Sequence, residues 1–127
     1  KLQVKDLPDA WNEKYRSLLG IVPETDSVGC LQDVHWSKGS VGYFPTYAMG
    51  NVIGLQIWKV VTSTIPDWES QVASGDFSAV LGELASLVYQ KGCLYSPKEL
   101  VRDITGSEFD PQPWVDYAEH KFGKVYG

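Results

Sequence analysis

The residues best suited to chemistry lie together in residues 29–56 of the chain. This stretch contains His35, a carboxylate two residues earlier at Asp33, and two tyrosines, Tyr43 and Tyr47. Apart from Asp33 and one lysine, the stretch carries no charged residue. Polar groups kept in apolar surroundings are costly unless they have partners or a task. The stretch therefore predicts a buried site built on these side chains.

His35 allows two chemical interpretations besides a structural one. A single histidine on the apolar face of a helix is commonly a core residue whose ring nitrogens are satisfied. It can instead donate a hydrogen bond to an oxyanion that develops during hydrolysis, with Asp33 or another acceptor setting its tautomer. It can also act as the general base of a different hydrolase. The residues alone leave these alternatives open.

The other polar residues of the stretch have structural alternatives as well. Tyr43 and Tyr47 are ordinary core aromatics unless their hydroxyls reach a ligand. Gln32 and Asp33 are either exposed or hold a reacting side chain in place. Neither pair decides the function by itself.

A metal site within this chain is excluded by its ligand inventory. A catalytic zinc needs three protein ligands, often from a helix with the pattern H-E-x-x-H. The two histidines are His35 and His120, and neither begins that pattern. Cys30 is a poor candidate for a thiol nucleophile with His35, because residues five apart on a helix point to different sides.

Composition excludes several functional classes. The chain has 127 residues, 43% of them hydrophobic, which is enough for one domain with its own core. Its net charge is −5 without a basic patch, so nucleic acid is not an expected partner. No apolar run approaches the roughly 20 residues that span a membrane. Two cysteines, Cys30 and Cys93, favour reduced thiols and a cytoplasmic location.

Hydrophobic periodicity predicts an all-α chain, because every periodic segment repeats at helical spacing between capping residues. No segment alternates as a strand does. The predicted helices cover residues 7–19, 26–36, 45–62, a turn or two within 66–74, 77–91, 97–105 and 111–122.

The predicted helix over residues 45–62 is apolar around most of its circumference, which indicates partners on several sides. Gly50 and Gly54 lie four residues apart on it and each lowers helix propensity by about 1 kcal/mol. Their presence predicts that another backbone packs closely against this side.

A family resemblance rests on two motifs and several weaker ones. Residues 29–36, GCLQDVHW, fit the pattern G-x-x-Q-D-x-H-W, and residues 42–48 read GYFPTYA. On these motifs the chain resembles the thermostable (Taq-type) zinc carboxypeptidases. Supporting matches, in the same order along the chain, are LPDAWN at 7–12, YSPKEL at 95–100, TG at 105–106 and KFGKVY at 121–126. One departure is YQKGCL at 89–94, where the family carries His and Arg residues.

The resemblance implies a helical subdomain of a zincin-like, mostly helical metallopeptidase. It implies that residues 1–127 are the C-terminal helical part, that the H-E-x-x-H helix lies upstream, and that zinc or another divalent metal is bound outside this chain. The expected partners are peptide substrates, the upstream part of the same chain and a second copy in a homodimer. The chain starts at Lys1 without an initiator methionine, which is expected of a piece of a larger protein and equally of a processed or engineered N-terminus.

Site roles follow from the same resemblance. His35 and Tyr47 correspond to the histidine and downstream tyrosine with which related zincin-type peptidases bind the tetrahedral intermediate. Tyr43 is expected to contact substrate, and Gln32 and Asp33 are expected to support the reacting groups. The isolated chain is expected to be inactive. The alternatives are a non-catalytic helical interaction module and the hydrolase with His35 as general base.

Overall fold

The computed structural model describes residues Lys1 to Gly127 and confirms the all-α class. A short 3-10 turn at Val4–Asp6 precedes the first α-helix, and further 3-10 turns lie between α-helices at Asp26–Val28, Cys30–Gln32 and Tyr89–Lys91. None of the helices combines the length and apolar character needed to cross a membrane. The α-helices are α1 (Leu7–Leu19), α2 (Val34–Ser37), α3 (Pro45–Ser63), α4 (Trp68–Ala73), α5 (Ser78–Leu87), α6 (Pro97–Thr105) and α7 (Gln112–Tyr126).

The chain divides into two compact units, Lys1–Thr46 and Tyr47–Gly127. In the first unit α1 begins with Pro8 in its first turn, where proline is favoured. It closes at Gly20, whose φ of 72° is left-handed and whose N–H donates to the carbonyl of Arg16. On α1 the Trp11 and Tyr15 rings stack with centroids 5.1 Å apart.

The continuous helix predicted over residues 26–36 is wrong. The segment forms two 3-10 turns followed by α2. Gly29 separates the turns with φ −112° and ψ −121°, and a Cβ there would lie 3.1 Å from the carbonyl oxygen of Thr25. Asp33 is extended (φ −75°, ψ 101°), and its side chain accepts the backbone N–H of His35 as the cap of α2. Periodicity misses such a break, because a capping residue inside an apolar pattern leaves the pattern unchanged.

This break changes the surroundings of the segment. Val28 and Leu31, which lie seven and four residues before His35, are 55% and 66% exposed. Cys30, by contrast, is 2% exposed. The segment presents its histidine from a short capped turn and not from a long helix.

The second unit is built on the C-terminal half of α3. Trp58 of α3 meets Trp68 of α4 edge to face, with ring centroids 5.1 Å apart. Val61 is completely buried. The buried cluster around it joins α3, α5, α6 and the link after α3, and consists of Ile57, Val61, Ile65, Val80 and Ile104.

The close backbone approach predicted at Gly50 and Gly54 is wrong for this chain. A Cβ built on either glycine would meet no atom within 4 Å. Glycine at an internal helical position shows that propensity is lost, but it does not show what lies opposite. The first turns of α3 are correspondingly exposed, with Met49 at 50%.

Helix ends follow the capping chemistry where it is strong. The capping box at the start of α6 is present, with the Ser96 side chain accepting from Glu99 and the Glu99 side chain accepting from Ser96. The helix predicted to run to Gly92 ends as an α-helix at Leu87 and continues as a 3-10 turn. The end predicted at Gly123 is wrong, because α7 continues to Tyr126.

Gln56 is the buried polar residue of the second unit, with 4% exposure. Its Nε2 donates to the carbonyl oxygen of Glu108 at 2.8 Å and to Ser107 Oγ at 3.1 Å. Its Oε1 accepts the N–H of Asp110 at 3.2 Å. One side-chain amide thus satisfies both a donor and an acceptor of the connection between α6 and α7.

Replacing Gln56 by Met should lower the free energy of unfolding by about 2–4 kcal/mol, because it keeps the side-chain volume but leaves the Glu108 carbonyl and the Asp110 N–H without their partner. Urea denaturation followed by far-UV circular dichroism measures this. Gln71→Met is the matched control, since the Gln71 amide bonds only the exposed Asp67 carboxylate of its own helix turn. Equal losses for both variants would contradict the role given to Gln56.

Candidate functional site

The centre of the candidate site is the contact between Asp33 and His35. Asp33 Oδ1 lies 2.9 Å from the backbone nitrogen of His35 and 2.6 Å from its Nδ1. The Asp33 side chain is 9% exposed and that of His35 20%. A capping residue two positions before a histidine thus fixes both the backbone and the imidazole ring of that histidine.

The contact determines where the ring carries its hydrogen. A carboxylate only accepts hydrogen bonds, so His35 Nδ1 is the protonated nitrogen. The role of Nε2 then depends on the charge of the ring: it accepts when the imidazole is neutral and donates when the ring is an imidazolium.

The Asp33 carboxylate is stabilised in its ionised form. Burial acts to raise its pKa, but the backbone N–H and the imidazole of His35, together with the Trp36 side chain, outweigh it. The pKa of Asp33 is therefore held below its ordinary value of 3.8. Its negative charge is present throughout the neutral pH range.

Two aromatic rings frame the imidazole. The Tyr43 ring stacks on it with centroids 5.2 Å apart and planes 28° apart, and the Phe44 ring meets it edge to face at 5.6 Å. The chain reaches this position through a turn in which Gly42 has a φ of 81°, a conformation that other residues adopt only with strain. The turn thus brings both rings back against His35.

An aromatic cavity of about 440 Å³ adjoins the pair on the side of Asp33. Its walls include the rings of Trp11, Tyr15, Trp36 and Phe44. Trp11 and Trp36 meet edge to face at 6.1 Å. The buried indole Nε1 of Trp11 has no hydrogen-bond acceptor in the structure.

The structure brings three of the predicted site residues into contact within the first unit. His35 contacts Asp33 through its Nδ1 and Tyr43 through its ring face. Gln32 is exposed, ends a 3-10 turn and lies on the cavity wall. Tyr47 lies in the first turn of α3, in the second unit, and is 53% exposed. The roles proposed for Tyr43, Tyr47 and Gln32 stay predictions.

Phe44 and Trp36 were not singled out by the sequence, although both contact the Asp33–His35 pair. Phe44 packs on the ring of His35, and the backbone N–H of Trp36 donates to the Asp33 carbonyl oxygen at 3.4 Å. The available signal was the D-x-H spacing, which is that of a side chain accepting an N–H two residues on. Such a turn places the flanking residues beside the histidine.

No group of three or more candidate ligand side chains is placed to hold a metal ion. His120, the second histidine, lies on α7 in the second unit. The residues present do not fit a metal centre of their own.

The comparison with protein families gives this geometry its context. The profile of the carboxypeptidase Taq (M32) metallopeptidases matches residues 1–122. The chain belongs to this family. The D-x-H turn of Asp33 and His35 lies inside the matched region, as do Tyr43 and Tyr47.

Curated relatives agree with this assignment. The chain is 38% identical over 122 residues to thermostable carboxypeptidase 1 of Pyrococcus furiosus, which covers 96% of the chain and 24% of that protein. It is 36% identical over 126 residues to carboxypeptidase 1 of Bacillus subtilis, covering 99% of the chain and 25% of that protein. The chain spans about a quarter of the length of these relatives.

Solved structures show the same fold. The M32 carboxypeptidase of Deinococcus radiodurans superposes with a TM-score of 0.93 at 38% identity, covering 99% of this chain and 26% of that one. The Pyrococcus furiosus carboxypeptidase, described as an apo-Mg structure, gives 0.91 at 38% identity, covering 95% of this chain and 24% of that one. The all-helical segment therefore matches part of the M32 carboxypeptidase fold.

The isolated chain should bind zinc no more tightly than a surface histidine does, because no three-ligand group exists in it. Isothermal titration with zinc measures this, with His120→Ala as a check on binding by the exposed histidine. A stoichiometric site of micromolar or better affinity would show that a ligand set has been overlooked.

Proposed function

We propose that this chain is part of a carboxypeptidase that depends on a divalent metal and removes C-terminal amino acids from peptides. Membership of the M32 metallopeptidase family supports the reaction class. The observation that carries the role of this chain is the Asp33–His35 contact, which holds an imidazole in a fixed tautomer within the strongest family motif. The chain is proposed to supply hydrogen-bond donors to the reacting carbonyl.

Hydrolysis of the last peptide bond defines what these donors do. A water oxygen bonds to the scissile carbonyl carbon, and the carbonyl oxygen takes up negative charge. The C–N bond then breaks and the leaving amine takes a proton. His35 Nε2 and the Tyr47 hydroxyl are proposed to donate to the negatively charged oxygen, because donors placed where charge develops lower the barrier.

The remaining site residues are proposed to act around these donors. Tyr43, stacked on His35, is proposed to contact the substrate. Asp33 and Gln32 support the reacting groups from the first unit. The metal, zinc or another divalent cation, is proposed to be held by residues outside this chain, in the upstream part of the protein. Residues 1–127 are proposed to be the C-terminal helical part of the same protein.

The assembly and location follow the family resemblance. We propose a cytoplasmic homodimer that acts on peptides. The rival function is a helical interaction module without catalysis. A correctly folded full-length protein without chelator-sensitive peptidase activity would favour that module, whereas chelator-resistant activity would favour a hydrolase with His35 as general base.

Tyr47→Phe in the full-length enzyme should lower kcat by roughly 10²–10³ with little change in KM, because the hydroxyl is needed in the transition state more than in the bound substrate. Steady-state kinetics on a C-terminally blocked and a free peptide measure this. Tyr89→Phe is the matched control, since Tyr89 is 61% exposed and lies in the second unit. Unchanged kcat in Tyr47→Phe would transfer the role to Tyr43.

His35→Ala should lower kcat by a similar factor of roughly 10²–10³ without reducing the metal content, because His35 is a donor and not a ligand in this proposal. Kinetics and elemental analysis of the same preparation measure both, and the melting temperature reports the cavity that the truncation opens. His120→Ala is the control, since His120 is the other, exposed histidine. Loss of metal from His35→Ala would identify His35 as a ligand.

A further inference from the structure

We infer that His35 works as an imidazolium cation and that Asp33 is the positioning residue that keeps it charged and aimed. This inference rests on the proposed function, since it concerns the state in which His35 donates to the reacting oxygen. It separates two roles that the residue types leave open, the oxyanion donor and the general base.

The hydrogen of the His35 ring is positioned by Asp33. Asp33 Oδ1 lies 2.6 Å from Nδ1, so the Nδ1 hydrogen is committed to the carboxylate. A neutral ring in this tautomer presents a lone pair at Nε2. A lone pair repels a negatively charged oxygen, so His35 can donate from Nε2 only when both ring nitrogens carry hydrogen.

Rotation of the Asp33 carboxylate away from the ring is opposed by a second hydrogen bond. The same Oδ1 also accepts the backbone N–H of His35 at 2.9 Å. Rotation of the Asp33 side chain would therefore remove the cap of α2 together with the ring contact. The negative charge is fixed beside the imidazole as part of the backbone conformation.

The charged and aromatic groups around the His35 ring favour its cationic form. Asp33, at the start of α2, places a carboxylate against the ring, and its side chain is 9% exposed. Tyr43 stacks on the ring from the following turn, and Phe44 meets it edge to face. Aromatic faces favour a neighbouring cation. Lys38, at the end of α2, has an exposed side chain.

The state of Asp33 agrees with this arrangement. Its contacts with His35 and Trp36 outweigh burial and hold its pKa below the ordinary value. The carboxylate is therefore ionised throughout the neutral pH range. The negative charge of Asp33 beside the imidazole is therefore retained across that pH range.

The two roles predict opposite pH dependence. An imidazolium donor is active on the acid side of its own titration, so kcat falls as pH rises through it. A neutral general base is active on the alkaline side, so kcat falls as pH decreases through it. Whether the acid or the alkaline limb of the kcat profile moves when Asp33 is substituted thus shows whether His35 is the general base or the oxyanion donor.

The test is Asp33→Asn in the full-length, metal-loaded enzyme, with kcat measured against pH. The Asn oxygen can still accept from the His35 N–H and from Nδ1, so the variant removes the charge and keeps the acceptor. The alkaline limb of kcat should move to lower pH by about 1–3 units, the size of shift that one neighbouring opposite charge produces. The acid limb should stay in place.

Asp76→Asn is the matched control. Asp76 Oδ1 also accepts the N–H and the side-chain hydrogen of the residue two positions on, at 2.9 and 2.6 Å, but that residue is Ser78. The variant makes the same local change in the second unit without a histidine. Its pH profile should coincide with that of the unaltered enzyme.

The failures are distinguishable. A full-length protein without chelator-sensitive activity, or His35→Ala with unaltered kcat, overturns the proposed function and this inference with it. Activity that depends on His35, combined with an alkaline limb that Asp33→Asn leaves in place, overturns the inference alone. A shift of the acid limb instead would identify His35 as the base.

A second measurement covers the case in which Asp33→Asn does not fold. Nitrogen-15 spectra of the unaltered full-length enzyme, labelled at histidine and assigned with His35→Ala, report both ring nitrogens directly. We expect two protonated nitrogens below the alkaline limb and hydrogen on Nδ1 alone above it. A neutral His35 ring throughout the active pH range would overturn the inference.

Discussion

The site in the first unit depends on a single carboxylate oxygen that accepts two hydrogen bonds. Asp33 Oδ1 holds the backbone N–H and the imidazole of His35 at the same time. The two bonds restrain different degrees of freedom, the first the path of the chain and the second the orientation of the ring. The rings of Tyr43 and Phe44 then pack against the imidazole, one stacked and one edge to face. Removing the carboxylate would loosen all of these relations together.

The sequence predicted the parts of the structure that local chemistry dictates. The start of α1 at Pro8, the capping box of Ser96 and Glu99, and the left-handed glycine after each of these helices follow from backbone groups that only certain residues satisfy. The all-α class follows from the apolar spacing over the whole chain. These features depend on neighbours within a few residues, which a sequence displays directly.

The misjudged parts are those in which a local bond competes with a periodic pattern. Residues 26–36 have helical spacing, yet Gly29 and Asp33 each end a turn. At Asp33 the side chain accepts the backbone N–H of His35, which competes with a continuous helix. The residues of the candidate site were identified by their types and by their motif. Their contacts, such as the stack of Tyr43 on His35, depend on the turn at Gly42 and were not available from spacing.

Gln56 has a consequence for how freely the sequence of the second unit can diverge. The partners of its amide at positions 108 and 110 are main-chain atoms, a carbonyl oxygen and an N–H. Any residue supplies the first of these, and any residue except proline supplies the second. The residue that holds these two main-chain groups therefore lies some fifty positions earlier in the chain, at 56. Only the bond to Ser107 Oγ depends on a side chain of the connection itself. Substitutions in the loop can accumulate while its backbone conformation is preserved. A substitution at position 56, by contrast, removes the partner of two main-chain groups in a loop whose own residues are unchanged.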